Sequence, residues 1–225
     1  NDKLNQYPYS LEKAIELLEE GGWVLDKDGN DYVGEGLRHK KLEDGTLMPL
    51  EIEWASSEKN KVSELLVVKL QENPDVAAAG MKINQTVMAW EELLSWMYRD
   101  SSEDPKYGVP TYGMYNLASG FYPNYDLTTA YTTDPAMVAA GYNDNFILDE
   151  ELATLAADMA LLSPDQREEF KKRFVDFIVK WNELLPDIPL YSNIYHDFYH
   201  EKLHDWQNNS LIQVPDAILY AWVSE

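Results

Sequence analysis

The chain has 225 residues, 18 basic against 40 acidic side chains and a formal net charge of −22. Phosphate contact needs clustered Lys and Arg, so this balance argues against nucleic acid as a partner, and 45% apolar with 12% aromatic residues is too rich for a disordered chain. Cysteine is absent, which removes thiolate nucleophiles, disulfides and Cys-based metal sites, and no run approaches the roughly 18 apolar residues of a membrane span.

Leu11, Ile15 and Leu18 recur at helical spacing between Ser10, a capping residue, and Gly21-Gly22, which closes a helix without a Cβ penalty. The run from Asp26 to Gly45 reads as an exposed loop or hairpin. Its Asp26-Lys27-Asp28-Gly29-Asn30 lacks the glutamate that a calcium loop carries at position twelve, which is Leu37 here, so an acidic turn is expected. Leu50 to Ala55 alternates apolar and acidic residues as a strand does. A helix is expected from Ser57, with Val62, Leu65, Leu66 and Leu70 on one face and a stop at Asn73-Pro74. A second strand follows at Met81 to Val87, with Met81, Ile83 and Val87 on one face, then a helix from Trp90 to Arg99. Tyr112 to Ser119 reads as a third strand. Strand and helix alternating over connections too long for hairpins predict parallel strands in an α/β layer structure, taken as a single domain over 1–225.

Gly120 to Tyr142 reads as a long aromatic connection. Asp149 to Leu161 is helical, and Ser163-Pro164-Asp165 caps a longer helix bearing Phe170, Phe174, Phe177, Ile178, Trp181 and Leu185. Pro186-Asp187-Ile188-Pro189 breaks it into an extended Leu190-Tyr191-Ser192, and Ala217 to Val223 is strand-like.

Tyr7-Pro8-Tyr9-Ser10, Glu12 to Leu18 and Gly21-Gly22-Trp23 resemble the tyrosine, lysine and glycine pattern of the family 5 solute-binding proteins of ABC transporters, the oligopeptide- and dipeptide-binding group. Further segments agree in order: Leu50–Ala55, Gly80-Met81-Lys82-Ile83-Asn84, Trp90-Glu91-Glu92-Leu93 and Leu185-Pro186-Asp187-Ile188-Pro189-Leu190-Tyr191. The resemblance implies one lobe of a type II periplasmic-binding-protein fold, a mixed sheet flanked by helices. It implies the C-terminal lobe of a two-lobed clamp, the N-terminal lobe being absent and residues 193–225 packing toward it. It further implies an extracytoplasmic protein, periplasmic or lipid-anchored at the cell surface, that captures a peptide or other small solute and delivers it to membrane permease subunits, without cofactor or catalysis. In peptide-binding members an aspartate after the third lobe strand pairs with the peptide amine. Phe121 stands at that place here, and Asp126 is a nearby substitute.

The expected solute-contacting residues are Asn116 and Ser119 on the third strand, Phe121 and Tyr122 just past its carboxyl end, where ligands settle in open α/β sheets, and Tyr191. If Tyr112 to Ser119 is a strand, Met114 and Asn116 share the side of Tyr112, and Tyr115 faces the other way. Two further constellations need weighing. His196, His200 and His204 recur every four residues, and a zinc site from them requires a helix that the preceding Pro-Leu-Tyr disfavours. Paired carboxylates such as Glu51 with Glu53, or Glu91 with Glu92, stand behind the alternative reading, a surface hydrolase acting on carbohydrate. Glu51 and Glu53 alternate with core residues and so face water, and the neighbours Glu91 and Glu92 point in different directions on a helix. No nucleophile elbow or phosphate-binding loop follows any expected strand.

Overall fold

Ser10 begins the first element as its composition predicts: its hydroxyl accepts a hydrogen bond from Lys13 N (3.1 Å) and caps α1 (Leu11–Glu20). The computed structural model describes residues 2–118, 126–192, 194, 196–209, 212 and 214–225. They group into two compact units, residues 6–117 and residues 2–5 with 118–225.

In the first unit the Gly-rich run folds into a hairpin of β1 (His39–Lys41) and β2 (Leu47–Pro49), antiparallel about the Leu42–Thr46 turn. Asp26 Oδ1 accepts from the backbone N–H of Asp28 and of Asn30, an acidic turn closed on itself. Then come β3 (Glu51–Ser57), α2 (Lys61–Lys69), α3 (Pro74–Ala78), β4 (Lys82–Met88), α4 (Trp90–Met97), a 3₁₀ turn (Pro105–Gly108) and β5 (Met114–Tyr115). The strands form one parallel sheet in the order β4-β3-β5, with Trp54 opposite both Gln85 and Met114. β3 is central, which is why Trp54, Ala55 and Ser56 are all fully buried.

Several boundaries differ from the sequence reading for local reasons. The cap of α2 is Asn60, whose Oδ1 accepts from Val62 N and Ser63 N, so Ser57 ends β3 and residues 58–59 form the turn before the helix. The face of α2 turned inward carries Ser63, and Leu65 is exposed. In β4 Ile83 and Met88 are buried and Val87 is exposed, because β4 is an edge strand with only partial cover. The third strand is two residues long rather than eight: the chain joins β3 through Gly113 N to Glu53 O and leaves the ladder after Tyr115.

Gly80 sits between α3 and β4 at φ +75, and a Cβ there would meet Arg38 Cγ and Tyr32 Oη at 2.7 Å. The buried Arg38 explains the crowding. It donates to Ala79 O, Trp23 O and Glu19 Oε1 and lies over the Tyr32 ring, tying α1, the hairpin and α3 together.

The second unit contains α5 (Pro135–Ala139), α6 (Glu150–Ala160), α7 (Arg167–Leu184), β6 (Leu203–His204), α8 (Val214–Ala217) and β7 (Trp222–Val223). Its core is Leu152, Ala156 and Met159 of α6 against Phe177 of α7, with Tyr131 edge-on to Phe177 and accepting at its hydroxyl from Trp181 Nε1 (2.9 Å). Phe174, expected on this face, is exposed. α7 starts after Gln166, since Ser163, Asp165 and Gln166 bond among themselves in a turn. The strand expected at Ala217 to Val223 is mostly a helical turn, consistent with Pro215 and Asp216 in its first turn. Only Trp222 and Val223 pair, antiparallel to β6.

Candidate functional site

Alternation along β3 sends consecutive side chains to opposite faces, and each face has its own helix. Ala55 packs with Met88 and Leu93 of α4, and the half-buried Trp96, Tyr112 and Tyr115 close that side. Trp54 points the other way, toward α2. The connection β3 to β4 therefore runs over one face and β4 to β5 over the other, so the loops after the neighbouring strands β3 and β4 diverge. That divergence is a topological switch point, and it leaves a crevice at the carboxyl ends of the strands.

Polar side chains near this edge bond to one another, with Lys59, Glu64 and Glu72 beside them. Asn116 follows β5, and its Oδ1 accepts from Trp54 Nε1 (3.1 Å) and from the buried Ser63 hydroxyl (3.0 Å) of α2. Gln85 Nε2 donates to Ser56 Oγ (2.8 Å), and Asn60 Nδ2 to Ser57 Oγ (3.4 Å). Beside this network an open groove of about 380 Å³ is lined by Ser57, Lys59, Asn60, Ser63, Gln85 and Val87 among others. Lys59 holds φ +57 in the turn before α2, a left-handed conformation uncommon for a side chain of this size. On the opposite face, burial pushes the Tyr115 hydroxyl up to about 12, so it stays protonated at any physiological pH.

Of the expected site residues, Asn116, read as lying within the third strand, instead follows the shortened β5, with its carbonyl engaged inside the protein. Ser119, Phe121 and Tyr122 lie outside the described residues. Tyr191 is exposed in the extended segment after α7 and belongs to the second unit. Asp126 is also there; bonds from the Thr128 side chain and backbone N–H hold its carboxyl below the usual range and keep it ionised. Sequence reading missed Ser56, Ser63 and Gln85. The only signal was a serine on the apolar stripe of α2.

The other constellations resolve differently. His196 lies in an extended segment, His200 accepts at Nδ1 from Lys202 N, and His204 is in β6, so the three share no helix face. Among the described residues no group of three or more His, Asp or Glu is placed to hold a metal ion. Glu51 is held below the usual carboxylate range by bonds from Lys82 and Asn84, and Glu53 accepts from the same Asn84, so this pair is spent on cross-strand contacts.

No family sequence model matches the chain, and no curated protein sequence does. Solved structures do match. The oligopeptide-binding protein AppA of Bacillus subtilis, solved with a nonapeptide, aligns over 99% of this chain at 18% identity and a TM-score of 0.62. This chain has the fold of part of an oligopeptide-binding protein. The oligopeptide-binding protein of Thermus thermophilus, complexed with a pentapeptide, matches 85% of the chain at 22% identity and the same TM-score, 0.62. NikZ of Campylobacter jejuni, complexed with Ni(L-His), matches 80% at 20% identity and 0.52. The chain spans 39%, 31% and 31% of those three proteins' lengths, so the oligopeptide-binding-protein fold is represented here in part. No helix among the described residues is long and apolar enough to cross a membrane.

Proposed function

We propose that this chain is the C-terminal lobe of a family 5 solute-binding protein, the extracytoplasmic receptor of an ABC importer, which closes with an opposing lobe on a peptide or similar small solute and presents it to permease subunits. The observation that carries this reading is the alignment of nearly the whole chain with little more than a third of AppA, a peptide-bound protein. Two features support it. The sheet ends in a polar crevice at a switch point, the kind of place where α/β proteins take ligands. The stretch from Ile188 to Val223 exposes Ile188, Leu190, Tyr191, Ile194, Ile218, Leu219, Tyr220 and Val223, apolar area that a lone lobe leaves to water and an opposing lobe would cover.

In this reading Asn116 keeps its carbonyl in the scaffold and offers its Nδ2 to the solute, and Ser119, Phe121, Tyr122 and Tyr191 supply the remaining contacts. Phe121, at the place of the amine-pairing aspartate, lacks the charge that anchors a free N-terminus, so the solute is held by backbone and aromatic contacts instead.

Calorimetric titration with defined pentapeptides tests this on the chain alone and on the longer two-lobed protein. The two-lobed protein is expected to bind at least about tenfold tighter, since losing half the enclosing wall forfeits more than roughly 1.4 kcal/mol. N-acetylated and free peptides are expected to bind it within about threefold of each other. Equal affinity for the lone chain and the two-lobed protein would contradict the clamp, and a strong loss on acetylation would contradict the role given to Phe121.

A further inference from the structure

A second cavity lies in the second unit. It measures about 380 Å³ and is lined by His196, Asp197, Phe198, Tyr199, Leu203 and Trp206. Four of these six are aromatic or imidazole rings, one is a carboxylate, and no Lys or Arg contributes. The Tyr199 and Trp206 rings stand 6.5 Å apart at 52°, a wedge rather than a stack. Phe198 is 95% exposed beside them.

The carboxylate is held in place. Trp206 Nε1 and Asn208 Nδ2 both donate to Asp197 Oδ2, at 3.4 and 2.8 Å, which fixes the group and occupies one oxygen. With Oδ2 taken, a guanidinium cannot form its two-pronged pair, and Oδ1 remains for a point charge. Aromatic faces attract a cation through their quadrupoles, and most strongly when the cation sheds little water, as a methylated ammonium does. A chain of net charge −22 adds a favourable field.

We infer that this cavity is a binding site for a small N-methylated or quaternary ammonium group, seated against Trp206 and Tyr199 and paired with Asp197. The inference does not rest on the receptor reading.

Calorimetry on the 225-residue chain with choline and with its neutral isostere 3,3-dimethylbutan-1-ol tests the inference. Choline is expected to bind saturably and at least about tenfold tighter than the isostere, the size of a cation–π contact plus one ion pair. Asp197→Asn should weaken choline by about tenfold and leave the isostere unchanged, and Trp206→Ala should abolish choline binding with the circular dichroism retained. Equal affinity for the two probes, no binding up to about 10 mM, or choline binding that survives both substitutions would overturn it. Should Trp206→Ala unfold the segment, the choline-to-isostere ratio and Asp197→Asn decide alone.

Discussion

Asn116 places one carbonyl oxygen between an indole N–H from the central strand and a hydroxyl from α2. Removing that oxygen leaves two donors without their partner at once, and Trp54 and Ser63 are both buried. Asn116→Leu is therefore expected to cost about 2 kcal/mol, read as a fall in Tm of about 4–8 °C for a chain of this length. A shift under about 1 °C in a thermal melt would show that the network contributes nothing.

At the level of elements, α6 and α7 show how a cap and an ion pair share one side chain. Asp149 caps α6 by accepting from Leu152 N (2.8 Å) and pairs with Lys180 Nζ of α7 (3.4 Å); its side chain is 25% exposed. The Leu152 N–H first, and Lys180 after it, hold the Asp149 carboxyl below its ordinary 3.8 despite the partial burial. A carboxyl whose folded value is lowered contributes stability above its unfolded value and loses it as pH falls through the folded one. Asp149→Asn is thus expected to cost about 0.5–1 kcal/mol at pH 7, and the difference should shrink as pH falls through the folded value of the Asp149 carboxyl and its charge is lost. Urea unfolding as a function of pH measures this, and a difference that does not shrink with falling pH would remove the charge from the account.

For the molecule as a whole, the surplus of 22 negative charges acts on every element at once. Self-repulsion of this kind destabilises a compact state and is screened within about 10 Å at 0.1 M salt. Raising sodium chloride from about 10 to 300 mM should raise Tm by a few degrees, and a flat or falling Tm would mean that the paired carboxylates, such as Glu51 on Lys82, already neutralise the effect. Each of the two units owns a separate core, around Leu93 and Ala55 in one and around Leu152 and Phe177 in the other.

How much of this was legible depends on whether the signal was periodic. The stripes of α1, α6 and α7 and the alternation of Leu50 to Ala55 declare themselves, because burying one face of a helix or strand requires apolar residues at 3.6- or 2-residue spacing. The order of those elements indicated the α/β architecture and the family resemblance, with the sheet's carboxyl edge as the likeliest seat of a ligand. The site chemistry was not readable in the same way. Ser63 looks like a solvent residue until α2 packs against Trp54, and Asn116 looks free until both donors reach it, since a polar side chain carries no mark of whether its partner is water or protein. The shortness of β5, the separate helix turn at Val214–Ala217 and the aromatic cavity at 196–206 depend on contacts between residues far apart in the chain or on local turns that composition leaves open. Local pattern dictated which segments bury a face; only tertiary packing decided which polar groups meet, because that choice is made by the partner and not by the residue.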